Sequence, residues 1–69
     1  MTTRIKNFII EIRENSYLVT YINKNKTYPI EVTKDNFFLW TTTNMLLNDG
    51  DLSKVGYTFL KNNCLNACK

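Results

Sequence analysis

Cys64 and Cys68 are the side chains with the clearest capacity for chemistry in this 69-residue chain, which contains no histidine. Their spacing of four would place both thiols on one face of a continuous helix. A structural zinc site requires four ligands, normally cysteine or histidine, so these thiols could supply only half of one. A Cys-x-x-Cys redox motif has one residue fewer between its thiols. We therefore expect structurally incidental thiols, with no metal and no other cofactor.

Acid–base catalysis would have to rely on carboxylates, because histidine, the most frequent general base, is absent. A catalytic carboxylate pair needs a cleft, and a chain of this length offers little concavity. Asp49 and Asp51 flank Gly50, a pattern that turn formation and helix capping explain without calcium. These features argue against an enzyme and predict no catalytic residue. The six carboxylates are Glu11, Glu14, Glu31, Asp35, Asp49 and Asp51.

Length and composition predict one small domain over residues 1–69. The chain is 43% hydrophobic and 13% aromatic, which is too apolar for a disordered segment. No apolar run approaches the length of about 18 residues typical of a transmembrane helix. Glu11 and Arg13 interrupt the first apolar stretch, so it does not resemble a signal peptide. We expect a cytoplasmic protein with no membrane partner, whose thiols stay reduced.

Alternation of side chains with a period of two predicts a three-stranded antiparallel meander at about 5–13, 17–22 and 27–33. These segments are rich in β-branched and aromatic residues, as half-buried strands usually are. Pro29 cannot donate a hydrogen bond to a neighbouring strand, so it fits the last strand, which lies at the sheet edge.

Turn chemistry predicts the register of this meander. A two-residue turn at 15–16 would pair Ile10 with Tyr21. A four-residue turn at 23–26 would pair Tyr21 with Tyr28. Both turns place the same apolar set on one face, which we expect to be the core face.

Two short helices, at about 34–48 and 52–63, are predicted to cover one face of the sheet and complete an α+β fold. Thr33 is a candidate N-cap for the first helix. Gly50 can adopt the left-handed conformation that ends a helix. The apolar positions of the two helices are Phe37, Phe38, Trp40, Met45, Leu46, Leu47, Leu52, Val55, Phe59 and Leu60.

Three details of this second half stay open. Three consecutive threonines at 41–43 favour a strand, so a fourth strand at 37–43 is an alternative to the first helix. Gly56 lowers helix propensity, and we expect it to permit a close approach to the sheet or to the other helix. Residues 64–69 either continue the second helix or form a frayed C-terminal tail.

Protein binding is the function that this pattern favours. Apolar residues also occupy the sheet face that points away from the helices, where no part of a two-layer fold would cover them. The predicted register pairs Ile9 with Ile22 on that face. The residues predicted to bind a partner protein are Ile9, Leu18 and Ile22, with Arg13, Lys24 and Lys26 as a polar rim.

Nucleic-acid binding is the alternative, because the chain has a net charge of +3. Glu11 and Glu31 interrupt the basic character of the outward sheet face. The tyrosines that could stack on bases fall on the predicted core face. The residues available for phosphate contacts are Arg4, Lys6, Lys24, Lys26 and Lys34.

The small size, the scattered asparagines and the outline of a sheet with helices resemble phage-encoded inhibitors of host complexes, such as anti-CRISPR proteins. The resemblance transfers no residue roles. It implies a protein from a phage or mobile element that binds a host protein or protein complex and blocks it sterically. The net charge of +3 differs from the strong acidity of DNA mimics, so we expect contact with a protein surface. We expect a monomer or a homodimer.

Overall fold

The computed structural model describes residues 1–67 and confirms an α+β fold for them. The described chain forms four strands and then two helices. The strands pair in the order β1-β2-β3-β4, each antiparallel to the next. The elements are β1 (Thr2–Ile5), β2 (Phe8–Ile12), β3 (Ser16–Asn23), β4 (Lys26–Thr33), α1 (Phe37–Asp49) and α2 (Lys54–Ala67).

The prediction of three strands is wrong at the N-terminus, where the segment predicted as one strand at 5–13 is a hairpin. The chain turns at Lys6 and Asn7, and Lys6 adopts a left-handed backbone with φ 53°. Ile5 then pairs with Phe8, and β1 becomes an edge strand beside β2. Polar and apolar residues alternate on both sides of the turn, so periodicity alone does not reveal the reversal.

The segment 37–43 is helical, which excludes a fourth strand there. Thr43, the last of the three threonines, is fully buried. Its hydroxyl donates to the carbonyl oxygen of Leu39 at 2.8 Å, so the helix itself satisfies the buried polar group. Packing against the sheet thus outweighs the weak strand preference of three β-branched residues.

The predicted register between β2 and β3, the first two strands of the predicted meander, is wrong by two residues. The turn lies at Glu14 and Asn15 rather than at 15–16, and Ile10 pairs with Val19 instead of Tyr21. Moving a two-residue turn by one position shifts the cross-strand partner by two. Because side chains alternate with a period of two, the shift leaves every residue on its predicted face.

The predicted pairing of β3 with β4 is confirmed, since Tyr21 lies opposite Tyr28 and Val19 lies opposite Ile30. The turn is tighter than expected, because Asn23 and Lys26 already pair with each other. β4 is an edge strand and contains Pro29, as predicted.

The helix ends differ in part from the prediction. Asn36, not Thr33, caps α1, because its side-chain oxygen accepts a hydrogen bond from the backbone N–H of Leu39. Gly50 ends α1 with a left-handed backbone, as expected. α2 runs beyond residue 63 to Ala67, so residues 64–67 are helical and do not form a tail. Cys68 and Lys69 lie outside the described residues.

The core lies between the helices and one face of the sheet. Trp40 of α1 stacks on Tyr17 of β3 with 4.4 Å between the ring centroids. Tyr57 of α2 meets the edge of the Phe8 ring at 5.4 Å. Within residues 1–67, no helix has the length and apolar character to cross a membrane. The buried residues of the core are Phe8, Ile10, Val19, Tyr21, Val32, Leu39, Thr43, Leu46, Leu60 and Cys64.

Candidate protein-binding surface

The sheet face opposite the helices carries the residues predicted to bind a partner protein; we call it the outer sheet face. Cross-strand pairing sets its order. Leu18 lies between Glu11 and Glu31, and Ile9 lies opposite Thr20. The paired residues of the outer sheet face are Thr2, Arg4, Ile9, Glu11, Ser16, Leu18, Thr20, Ile22, Thr27, Pro29, Glu31 and Thr33.

The predicted pairing of Ile9 with Ile22 is wrong, because Ile9 lies opposite Thr20 on β3. The apolar strip remains continuous by another route. Leu18 and Ile22 flank Thr20 on β3, so both are diagonal neighbours of Ile9 on β2, within reach of long side chains. All three apolar side chains are half-buried by their neighbours.

Arg13 lies at one end of this strip and is held by two carboxylates. Its Nε lies 2.5 Å from an oxygen of Glu11, and its Nη1 lies 3.8 Å from an oxygen of Glu31. The hydrogen bond and charge of Arg13 lower the pKa of Glu11 below its ordinary value. The same contact raises the pKa of Arg13. At this end the outer sheet face therefore carries a cation paired with two carboxylates rather than an isolated cation.

Lys24 and Lys26 lie at the opposite end of the sheet, where the β1–β2 and β3–β4 turns meet. The strands alternate in direction, so these two turns share one end, and the Ile22 N–H donates to the Asn7 carbonyl at 2.8 Å. A shallow depression of about 370 Å³ is lined by 23–26 and Tyr28. These two lysines are exposed, but they are not adjacent to Arg13.

Lys6 belongs to the same end, where it forms an ion pair with Asp51 from the segment before α2. Hydrogen bonds from the Lys6 ammonium group and from the Leu52 backbone N–H lower the pKa of Asp51. Asn7 contacts the hydroxyl of Tyr57 at 3.3 Å. These contacts fix the start of α2 against the β1–β2 turn, and they occupy one of the lysines predicted to bind phosphate.

The remaining two residues of the nucleic-acid prediction are Arg4 and Lys34. Arg4 is on the outer sheet face, where its Nε approaches the Lys6 carbonyl at 3.4 Å. Lys34 follows β4 at the end remote from Lys24, and its ammonium nitrogen lies 5.7 Å from the Trp40 ring centroid. Arg4, Lys6, Lys24 and Lys26 therefore lie toward one end of the sheet, and Lys34 lies at the other end.

A second apolar surface, which the sequence interpretation assigned to the core, lies on the side of the helices that faces away from the sheet. Phe38 and Met45 lie seven residues apart on α1, a spacing that puts them on one face. Val55 and Phe59 lie one turn apart on α2. We call this surface the helical patch; its members and exposed fractions are Phe37 68%, Phe38 73%, Met45 51%, Val55 80% and Phe59 38%.

One signal for the helical patch was present in the sequence. No charged residue occurs between Phe37 and Asn48, so α1 has apolar residues around most of its circumference. An amphipathic helix at a protein surface normally presents charged residues to water. Without a polar face to orient it, the sequence pattern could not show which apolar side chains of α1 would face the sheet.

Gly56 lies at the floor of an apolar groove between the two helices. The groove has a volume of about 300 Å³ and is lined by Phe38, Thr42, Val55, Gly56 and Phe59. The atoms nearest to a Cβ added at Gly56 would belong to Ser53, at 3.4 Å, and to Leu52, at 3.6 Å, and not to the sheet or to α1. The expected close approach of the sheet or of α1 to Gly56 is therefore absent, and the missing side chain deepens the groove instead.

The structure describes one of the two cysteines considered in the sequence analysis. Cys64 is buried in the core, with its thiol 3.9 Å from the carbonyl oxygen of Val19. Cys68 lies outside the described residues. Among residues 1–67, no cluster of three or more cysteine, aspartate or glutamate side chains is arranged to hold a metal ion.

Comparison with known proteins assigns no family. No family model matches the chain, no curated protein matches its sequence, and no solved structure matches its fold. The function is therefore inferred from the surfaces described above.

Proposed function

We propose that this chain is a small, non-enzymatic protein-binding module that inhibits a host protein complex by occupying one of its surfaces. Its contact surface is the outer sheet face. One observation carries the proposal: both helices pack on the opposite face of the sheet, so no described element covers the strip of Ile9, Leu18 and Ile22. The source that fits such a protein is a phage or a mobile element.

The chemistry of the outer sheet face supports a contact that forms and dissociates. Interfaces of this kind combine an apolar centre with a polar rim and are no more apolar than the average protein surface. Here the half-buried strip is the centre, and Arg13 with its two glutamates forms part of the rim. Such a surface stays hydrated in the free protein and still offers apolar area to a partner.

The mechanism is steric. The sheet presents its side chains on a framework held by backbone hydrogen bonds between four strands, so the surface is formed before the partner arrives. A preformed surface loses little conformational entropy on binding, which favours affinity.

The test replaces Leu18 and Ile22 together with lysine. The partner is first isolated from host lysate on the wild-type protein, and its dissociation constant is then measured with purified components. We expect the double variant to bind roughly 30-fold more weakly or worse, because the centre of an interface contributes most of the binding energy. Circular dichroism should remain that of the wild type, since both side chains point away from the core.

The matched control replaces Asn15 and Asn48, which are both exposed, with lysine. It adds the same charge outside the outer sheet face and should bind as the wild type does. If the Leu18 and Ile22 variant also retains full affinity, the outer sheet face is not the contact surface.

Nucleic-acid binding is the second candidate, favoured by the exposed Lys24 and Lys26, which lie at the same end of the sheet as Lys6. This function requires retention on a heparin or DNA column that decreases steeply with salt, because counterions are released from the phosphates. Glutamate in place of Lys24 and Lys26 should then abolish retention. A wild-type protein that is not retained at low salt excludes this candidate.

A further inference from the structure

The helical patch combines a large exposed apolar area with few charges, and its size is that of the largest apolar patch on a typical monomer. Its three phenylalanines are 68%, 73% and 38% exposed. If a complete phenylalanine has about 200 Å² of surface, these rings alone expose about 350 Å². The largest apolar patch of a typical monomer is about 300–600 Å² and is often functional. Met45 and Val55 add to this area on the same side of the helices.

α1 has the composition of a helix that is covered on both sides. Leu39 and Leu46 are buried against the sheet, while Phe38 and Met45 lie on a different side of the same helix and are exposed. Helices that are apolar around their circumference are normally buried. The sheet covers only one side of α1, so the composition indicates a second covering surface.

The area of the helical patch agrees with what a stable dimer needs. A standard interface buries about 800 Å² on each partner, and homodimer interfaces are about 65% apolar, which requires roughly 500 Å² of apolar surface from each chain. The three phenylalanines supply about 350 Å² of it, and Met45 and Val55, half and four-fifths exposed, contribute further area. The outer sheet face, whose apolar residues are half-buried among charges, supplies less.

The helical patch contains both projecting apolar side chains and a groove. Phe38 and Val55 project from the two walls of the groove, and Gly56 recedes at its floor. A two-fold axis requires one surface to contain both the projection and the cavity that receives it. A second copy would place an apolar side chain in the groove over Gly56 and receive one in return.

The charges around the patch do not oppose such an association. α1 carries no charge before Asp49, and the charged residues of α2 are Lys54 and Lys61. Lys54 borders the patch beside Val55, where it can remain in water at the rim. No like charges therefore have to be buried when two copies meet.

We infer that two copies of this chain form a homodimer through the helical patch. The two sheets then lie on the outside of the dimer, because each outer sheet face is on the opposite surface of the two-layer fold. The dimer presents two copies of the outer sheet face and leaves both of them free. This assignment is independent of the function proposed for that face.

The test measures the mass of the purified protein by sedimentation equilibrium over a range of micromolar to millimolar concentrations. We expect the wild type to approach twice the 8.1 kDa of one chain. Replacing Phe38 and Val55 with glutamate should raise the dissociation constant of the dimer by roughly 30-fold or more, since buried anchors dominate an interface. Both side chains are mostly exposed in the single chain, so circular dichroism should remain unchanged.

The matched control replaces Asn15 and Asn25, which are exposed at two hairpin turns, with glutamate. It changes the net charge equally and should dimerise as the wild type does. The single variant Val55→Glu provides a second measurement if the double variant fails to fold. A wild type that remains at 8.1 kDa at millimolar concentration overturns the inference. A dimer whose dissociation constant is unchanged by Phe38→Glu with Val55→Glu also overturns the inference. So does a dimer that dissociates when Leu18 and Ile22 are replaced with lysine.

Discussion

The outer sheet face and the helical patch both expose apolar side chains, but their neighbours differ. On the sheet, Leu18 lies between two glutamates, and Arg13 contacts both of them. On the helices, the side chains between Phe38 and Met45 are uncharged, and the groove beside them is lined by apolar residues, Thr42 and Gly56. Antiparallel pairing places side chains from three strands next to one another, so charges from distant parts of the sequence can surround an apolar residue. On a helix, neighbouring side chains come from one short segment of the sequence.

This difference separates a surface that tolerates water from one that favours a permanent partner. Ion pairs and hydroxyls keep the outer sheet face hydrated, and its apolar residues gain little from association alone. The groove of the helical patch is lined by no charged residue and by one hydroxyl, that of Thr42, so burying the patch removes a large unfavourable hydration free energy. Exposure by itself therefore does not define a binding site, and the charges around the exposed residues indicate what kind of contact it makes.

The largest expected effect compares two adjacent residues of α1. Leu46 is fully buried against the sheet, while Met45 is 51% exposed in the helical patch. In a Val55→Glu background, in which we expect no self-association, Leu46→Ala should lower the free energy of unfolding by about 3 kcal/mol because it leaves a cavity. Met45→Ala should change it by less than about 0.5 kcal/mol. Urea unfolding measures both values, and equal losses would contradict the division of α1 into a covered and an open side.

A smaller effect with two opposite signs is expected at Gly56. In the Val55→Glu background, Gly56→Ala should raise the free energy of unfolding by up to about 1 kcal/mol, because alanine favours the helix. The added methyl group meets Ser53 and Leu52 at 3.4 Å or more, so the monomer accommodates it. In the wild-type background the same methyl group fills the groove and should weaken the dimer. Urea unfolding measures the stability of the monomer, and sedimentation equilibrium measures the dissociation constant of the dimer. An unchanged dissociation constant would mean that the groove is not part of the dimer interface.

The smallest expected effect is on the ion pairs outside the helical patch. The folded-state pKa values of Glu11 and Asp51 are lowered by Arg13 and Lys6 respectively. Their stabilisation is present above the unfolded-state pKa values of about 4.3 and 3.9. It is lost as pH falls through the lower folded-state values. The free energy of unfolding at low salt should therefore decrease slightly below about pH 4.

The variant Arg13→Gln with Lys6→Gln should show a shallower decrease in urea unfolding over the same acid range. An identical pH dependence in wild type and variant would mean that these pairs contribute nothing. The mass of the dimer, measured at about pH 5 and pH 7, should not change, because no carboxylate lines the groove of the helical patch.

Much of the fold could be predicted from residue patterns, and the errors have physical causes. Tyr21, Tyr28, Val19 and Ile30 pair as expected, because alternating side chains and a tight turn restrict the choices. The β1–β2 turn was missed because Lys6, rather than glycine or asparagine, adopts the left-handed conformation. Ile9, Leu18 and Ile22 were placed on the correct face, although the pairing of Ile9 with Ile22 was assigned wrongly. Lys26, predicted as part of the rim, instead alternates with Tyr28 onto the side of β4 that faces the helices.

The side of the sheet on which each strand residue lies was determined by the sequence itself. Alternation has a period of two, so even a register error of two residues leaves the two faces unchanged. The orientation of α1 was decided only by the tertiary structure. Its apolar residues surround the helix, and their pattern therefore has no preferred side. Contacts such as Trp40 on Tyr17 orient α1, and they leave Phe38 and Met45 exposed.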